Sequence, residues 1–407
     1  MKIGMIGLGQ RGNALLSVIL TYFKEIEVSA VCDNYSDRTE KAIKEIEDKT
    51  GSRACACSTY EELLQKNLDA VIISASWEEH VPLAVACMEA GIAVGLEVGG
   101  AYCVEDCWRL VDAYERTKTP FMFLENCCYD KTELMATFMA RKGIFGEIVH
   151  CSGAYSHDLR EEICDGWKNR HYRLRNYLQR NCENYPTHEL GPIAKILDIN
   201  RGNRMVSLVS VASKSRGLQE YVSDEKRKAD PRLRKAVFKQ GDIVDTLITC
   251  ANGETIHLML NTTLPCVYDR ALVVRGTKGM YNQSCNFVVL DGEATEGLWT
   301  GIENNLKRID SAKAYEQKYL PAYWKNLSEE DKQTGHGGMD GYMLQEFFAH
   351  VKSGKEMPID VYDAASWMCV SCLSEQSIML GGQPVAIPDF TRGKWIQRSR
   401  LDVVKAE

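Results

Sequence analysis

Gly7, Gly9 and Gly12, in Gly7-Leu8-Gly9-Gln10-Arg11-Gly12, are spaced to hold a phosphate against main-chain N–H groups. The first glycine permits a turn that a side chain would obstruct, the second lets the backbone approach a pyrophosphate, and the third allows a helix to pack closely on a strand. Asp33 follows about 20 residues after the last of them, where a carboxylate accepts from ribose hydroxyls and repels a 2′-phosphate. Together they read as an NAD site, with Arg38 near enough in sequence to keep NADP as the alternative. A second set of residues suits proton transfer and the binding of hydroxyls. It comprises Glu125-Asn126-Cys127-Cys128-Tyr129, Tyr155 with His157, Tyr185-Pro186-Thr187-His188, and His336-Gly337-Gly338-Met339-Asp340. For Tyr155 a half-buried strand tyrosine, and for His188 a hydrogen-bonded structural histidine, are the competing readings.

The elements that must position these groups can be read from periodicity. Lys2–Ile6 is a short apolar strand, Ala14, Leu15, Val18 and Ile19 mark a helix face, and Val28–Val31 is the next strand, ending at Asp33. Asp69–Ala75, Ala93–Val98 and Phe121–Glu125 read as further buried strands, with helices over Pro82–Ala90 and Glu105–Thr117 between them. This alternation predicts a doubly wound parallel sheet, a Rossmann domain over residues 1–126. Ligands of such sheets gather at the carboxyl ends of the strands. Those ends carry the glycine loop (Gly7, Leu8, Gly9, Gln10, Arg11, Gly12), Asp33, Ser74 with Trp77 and His80 close behind, Glu97, and Glu125-Asn126.

Residues 127–407 have a different texture. A helix over Lys131–Lys142 precedes strand-like runs at Glu147–Tyr155, Met205–Ala212, Asp245–Thr249, Thr255–Thr262 and Ala271–Val274, with Asn252-Gly253 as a hairpin turn. These predict a second, α+β domain built on an open, mostly antiparallel sheet. Asp291–Thr334 is polar without a clear period and reads as a long surface excursion; helical patterns resume at Met339–Val351 and from about Ala364 to Met379. The basic, aromatic stretch containing Arg170, His171 and Tyr172 reads either as a sugar-hydroxyl surface or as a solvated face.

The chain has 407 residues, 45% hydrophobic and 26% charged, with a net charge of −7. That balance disfavours a nucleic-acid partner, which selects a basic face. No apolar run reaches membrane-spanning length, and the chain opens directly on its first strand, so a cytoplasmic protein is expected. Its sixteen cysteines are scattered singly in apolar segments, apart from the close pairs Cys55/Cys57, Cys127/Cys128 and Cys369/Cys372. They read as free thiols, with no metal site.

The glycine fingerprint, the strand ending in Glu97 and the open-sheet domain resemble the Gfo/Idh/MocA oxidoreductases. The three blocks Glu125–Tyr129, Tyr185–His188 with Gly191-Pro192, and His336–Asp340 resemble more closely glycoside hydrolase family 109, whose members are NAD-dependent glycosidases described chiefly as α-N-acetylgalactosaminidases. Sugar dehydrogenases of the wider group carry Glu-Lys-Pro where this chain has Glu97-Val98-Gly99, and valine cannot move a proton. The resemblance therefore implies an NAD held tightly and recycled, with oxidation at C3, elimination across C1–C2, addition of water and re-reduction summing to hydrolysis of an N-acetylgalactosaminide-like or related hexoside. This follows the logic of the NAD-dependent exceptions to two-carboxylate glycosidases.

By the same resemblance, Tyr155 is the base near C2 or C3, His188 with Tyr185 assists at the C3 hydroxyl, and Glu125 orients the sugar or nicotinamide. Tyr268 and Arg270 lie in a substrate-contacting loop. Arg170, His171, Tyr172, Asn184 and His336 are candidate sugar contacts. The alternatives are an NAD-dependent sugar or inositol dehydrogenase and a non-catalytic nucleotide-binding regulator. A homodimer or homotetramer is expected, acting on a small-molecule glycoside.

Overall fold

The structure, a computed structural model, describes residues 1–292 and 306–405. It divides into two compact units, one of residues 1–129 with 326–365, the other of residues 130–325 with 366–407.

The first unit is built on β1 (Lys2–Ile6), β2 (Glu27–Cys32), β3 (Cys55–Cys57), β4 (Ala70–Ile73), β5 (Ala93–Leu96) and β6 (Phe121–Phe123). They form a parallel sheet in the order β3-β2-β1-β4-β5-β6. The order reverses between β1 and β4, where doubly wound sheets bind their ligands. Its central strands are fully buried runs such as Ala70-Val71-Ile72-Ile73 and lack polar alternation because helices cover both faces. Helix Trp77–Glu89 begins five residues before Pro82, the expected start, and carries that proline inside. Helix Met339–Ser353 contributes Phe347, fully buried over Gly95 of β5, where a Cβ would stand 3.1 Å from Phe347 Cζ.

The second unit holds an eight-stranded sheet of β7 (Ile148–Ser156), β8 (Met205–Ala212), β9 (Ile243–Cys250), β10 (Thr255–Asn261), β11 (Val273–Gly276), β12 (Gly279–Asn282), β13 (Phe287–Leu290) and β14 (Val385–Ala386). Its order is β13-β12-β11-β7-β10-β9-β8-β14. The mostly antiparallel expectation holds, with one parallel pair, β7 with β10, at its centre. Asn252-Gly253 closes the β9–β10 hairpin, Gly253 taking φ +100°. The strands β3, β12, β13 and β14 were not legible from period. Part of the predicted surface excursion, residues 293–305, lies outside the described residues. The part that follows is not uniformly irregular, since it contains helices Lys313–Tyr319 and Ala322–Lys325, with Tyr319 buried. No helix among the described residues is long and apolar enough to cross a membrane.

The substitution Phe347→Ala leaves a cavity over β5 and is expected to lower stability by about 3–5 kcal/mol. Urea unfolding checks this, and a midpoint equal to that of the unaltered chain would contradict it.

Candidate active site

The glycine loop fits a dinucleotide through what its glycines exclude. A Cβ on Gly7 would lie 2.5 Å from Ala75 N, and one on Gly12 would lie 2.0 Å from Gly7 O. Gly7 also takes φ +88°. The turn is fastened on both sides, Gly7 N–H donating to Cys32 O at 2.9 Å and Ser74 Oγ donating to Gly7 O at 2.7 Å. At Gly9 the space is open, the only heavy atom near a Cβ being Arg38 Nη1 at 3.7 Å. Helix Gln10–Tyr22 starts there with no side-chain cap and no acid in its first turn, which leaves its entrance electropositive. Asp33 accepts from Leu8 N–H at 2.6 Å and Tyr35 N–H at 2.9 Å, so its carboxylate is fixed beside the loop. Leu8 itself is buried, contributing its N–H and not its side chain. Arg38 stands 3.7 Å from Asp33 and over the Tyr35 ring.

Arg11 has a role its position in the fingerprint does not announce. Its Nε donates to Glu97 Oε1 at 2.9 Å, and Nη1 and Nη2 grip Asp340 at 2.6 and 3.0 Å. Asp340 also accepts from Asn126 Nδ2 at 2.8 Å and lies 2.8 Å from His336 Nδ1. Burial opposes the Asp340 charge, but Arg11 and His336 outweigh it and hold the carboxyl well below the ordinary aspartate range. Gly335, at φ +90°, leaves room for this fold-back, since its Cβ would meet Asp340 Oδ2 at 2.4 Å. His336, expected against the sugar, is therefore placed in the dinucleotide unit. Because its helix starts at Trp77, His80 turns inward, is 1% exposed, and its Nε2 bonds Ala75 O at 3.1 Å, burial lowering its pKa to about 4. It shapes the Ser74–Trp77 turn. Trp77 lies flat on Gly99, whose Cβ would stand 2.3 Å from its Cδ1. With Val98 buried, the place where dehydrogenases carry Lys-Pro is packed shut. Glu125 is fully buried at the end of β6, its Oε1 accepting from Cys127 N–H at 3.0 Å.

In the second unit, Tyr155 and His157 are two residues apart and so share one face at the end of β7. Tyr155 OH and His157 Nδ1 are 3.0 Å apart. Gly153 lets helix Thr187–Ile196 press onto β7, its would-be Cβ 2.9 Å from Glu189 Cβ, which sets His188 beside Tyr155 with ring centroids 5.5 Å apart. Tyr185 packs on Tyr155 at 4.8 Å and its OH lies 3.3 Å from His188 Nε2. Tyr268 completes the group, 5.1 Å from the His157 ring, because Asp269 bridges to Ser156.

One member, Arg173, was not singled out in the sequence reading. Arg173, 8% exposed, sits with its guanidinium 5.1 Å from the Tyr185 ring centroid and Nε on Glu162 Oε1 at 2.7 Å. Burial pushes the Tyr155 phenol well above its ordinary value, with Arg173 pulling the other way. Burial, then Arg173, lowers the His157 pKa. The strand period linking His157 to Tyr155 was a usable signal; Arg173 was hidden inside the basic stretch.

Other expected sugar contacts are placed differently. Asn184 is 1% exposed, donating to Gln240 Oε1 and accepting from Cys182 Sγ, so it is held in an amide network. Arg270 is also buried, bound to Glu133 at 2.6 Å and Asp130 at 2.5 Å, and donates to Tyr268 OH at 3.0 Å. It anchors Tyr268. His171 stacks on Tyr172 at 4.4 Å and faces Glu162 at 3.6 Å, while Arg170 is exposed at φ +53°.

Asp340's depressed pKa means that its stabilisation is fully present above the unfolded value near 4 and is lost as pH falls through the still lower folded value. Asp340→Asn is expected to cost about 3–5 kcal/mol at pH 7, with the deficit shrinking at pH 3. Denaturation at both pH values checks this, and a deficit independent of pH would contradict it.

Comparison with known proteins agrees with this geometry. Residues 1–124 match the oxidoreductase family with an NAD-binding Rossmann fold, and residues 129–397 match the glycosyl hydrolase 109 C-terminal domain. An α-N-acetylgalactosaminidase of Tannerella forsythia is 37% identical over 98% of this chain and 88% of its own length. A glycosyl hydrolase family 109 protein of Stenotrophomonas maltophilia is 36% identical over 98% and 91%. Among solved structures, levoglucosan dehydrogenase in complex with NADH and L-sorbose superposes with a TM-score of 0.67 at 17% identity, covering 96% of this chain and 100% of that one. Myo-inositol 2-dehydrogenase of Lactobacillus plantarum gives 0.63 at 16%, covering 95% and 99%. These structures share the fold. With an NAD-binding Rossmann domain and a C-terminal domain matched over most of its length, the chain belongs to glycosyl hydrolase family 109.

Proposed function

We propose that the protein is a glycosidase that uses a tightly held, recycled NAD to hydrolyse α-N-acetylgalactosaminides or closely related hexosides. The observation that carries this reading is the pairing of buried Tyr155 with His157 inside a Tyr/His group, together with a packed Val98-Gly99 where a dehydrogenase needs its lysine. The glycine loop, Asp33 and the helix entrance at Gly9 suit the dinucleotide. When bound, NAD supplies a reversible acceptor for the C3 hydride and leaves no net redox change.

The chain's own residues then manage protons. The Tyr155 phenol is too weak an acid to ionise alone at neutral pH, because its surroundings disfavour the charge. It serves as a base at the sugar C2–H by sharing its proton with His157 Nδ1, which burial keeps neutral and able to accept. Arg173 offsets negative charge that develops on the phenol. His188, oriented by Tyr185, holds the proton of the C3 hydroxyl, a role that its contact with the Tyr185 OH supports. Tyr268, fixed by Arg270, limits how a sugar ring can lie against Tyr155 and His157.

A chromogenic aryl α-N-acetylgalactosaminide, offered to purified protein without added cofactor, should release its phenol without net NADH. NADH accumulating in proportion to free sugar and NAD would instead support the dehydrogenase alternative. Tyr155→Phe should lower kcat by at least about a hundredfold, and a near-unaltered rate would remove it from the mechanism. His157 must be neutral to accept, so the rate should fall as pH drops below its lowered pKa, itself under the ordinary value of about 6.5. His157→Gln should remove that acid limb; an unchanged pH profile would contradict the relay.

A further inference from the structure

Cys55 and Cys57 flank Ala56 on β3, the edge strand of the parallel sheet, so both side chains leave the same face. Glu62 comes to that face from helix Tyr60–Leu64. The Cys55 Sγ, the Cys57 Sγ and a carboxylate oxygen of Glu62 lie within 4.8 Å of one another. Glu62 is held in direction. Its N–H is capped by Thr59 Oγ1 at 3.3 Å, and its Oε2 accepts from Ser58 N–H at 2.9 Å. Side chains that ligate cations are commonly steadied by such outer hydrogen bonds. The Lys66 ammonium lies against the Cys55 thiol. Cys32, the register partner of Cys57 on β2, adds a third thiol, itself buried, next to the group.

We propose that Cys55, Cys57 and Glu62 form a binding site for one divalent cation of the zinc class. Two thiolates and a carboxylate select a borderline-soft ion over magnesium or calcium, and three protein donors leave a fourth tetrahedral position to water. The three ligands carry three negative charges. A divalent ion leaves one, which the Lys66 ammonium balances. A disulfide is the poorer use of the pair, because Cα atoms two residues apart on a strand are about 6.6 Å from each other, at the far end of the range a disulfide spans. A cation seated between the sulfurs has no such limit. Thiolates bind the ion only after losing their protons, so binding releases protons and weakens as pH falls. The bound ion joins β3 to the helix that follows it, on the strand next to β2 and Asp33.

Cobalt(II) titration of the full-length chain with NAD bound tests this. A near-ultraviolet thiolate-to-cobalt charge-transfer band should grow to saturation at one equivalent and be displaced by zinc. Cys55→Ser and Cys57→Ser should abolish the band, and Glu62→Gln should weaken cobalt binding by about tenfold or more. Retained NAD binding shows that these variants are folded. No thiolate band, or an equal band in the double cysteine variant, would overturn the proposal. The unaltered chain gives a second readout, since zinc should protect Cys55 from alkylation by iodoacetamide; undiminished labelling would also overturn it.

Discussion

A charge removed from water must meet its opposite, and this constraint builds the candidate groups of each unit. Arg11 is gripped by Glu97 and Asp340, Arg173 by Glu162, and Arg270 by Glu133 and Asp130. The Arg11 and Arg270 pairings join segments far apart in sequence, up to 329 residues for Arg11 and Asp340. Removing one partner would leave a buried charge uncompensated, which is much more damaging than losing a surface pair. The arginines thus act as fixed pegs. Arg11 holds the glycine loop to the His336–Asp340 turn, Arg270 holds Tyr268, and Arg173 lies beside Tyr185.

In the proposed reaction the same dryness sets the chemistry. A phenol in water loses its proton near pH 10; Tyr155 is far harder to ionise, so its proton has to pass along a hydrogen bond instead of being lost to solvent. A solvent-exposed tyrosine is also protonated at neutral pH; the packing that buries Tyr155 deepens its need for a partner.

Much of the dinucleotide half was legible in the sequence, because backbone geometry leaves few choices there. Gly7 and Gly12 have no room for a Cβ, and Asp33 must follow the second strand. The sugar half was legible as blocks and less so as individual residues. Tyr155, Tyr185 and His188 do come together, yet Asn184, in the same block, faces an amide network because the chain turns between them. Arg173 stands in a run of basic residues whose period does not say which side chain turns inward. The inward turn of His80 was not legible because its helix was expected to start at Pro82. Asp340 was seen as part of a motif, but its partner Arg11 could not be inferred from local spacing at all.

The account rests on a glycosidic bond broken by elimination after transient oxidation of the sugar, which requires the C2 proton to be removed and replaced during each turnover. Hydrolysis in deuterated water, with the released sugar analysed by proton NMR, tests this most directly. The account predicts one deuterium at C2 of the product, with no added NAD and no net NADH. A product that keeps its original hydrogen at C2 would contradict it.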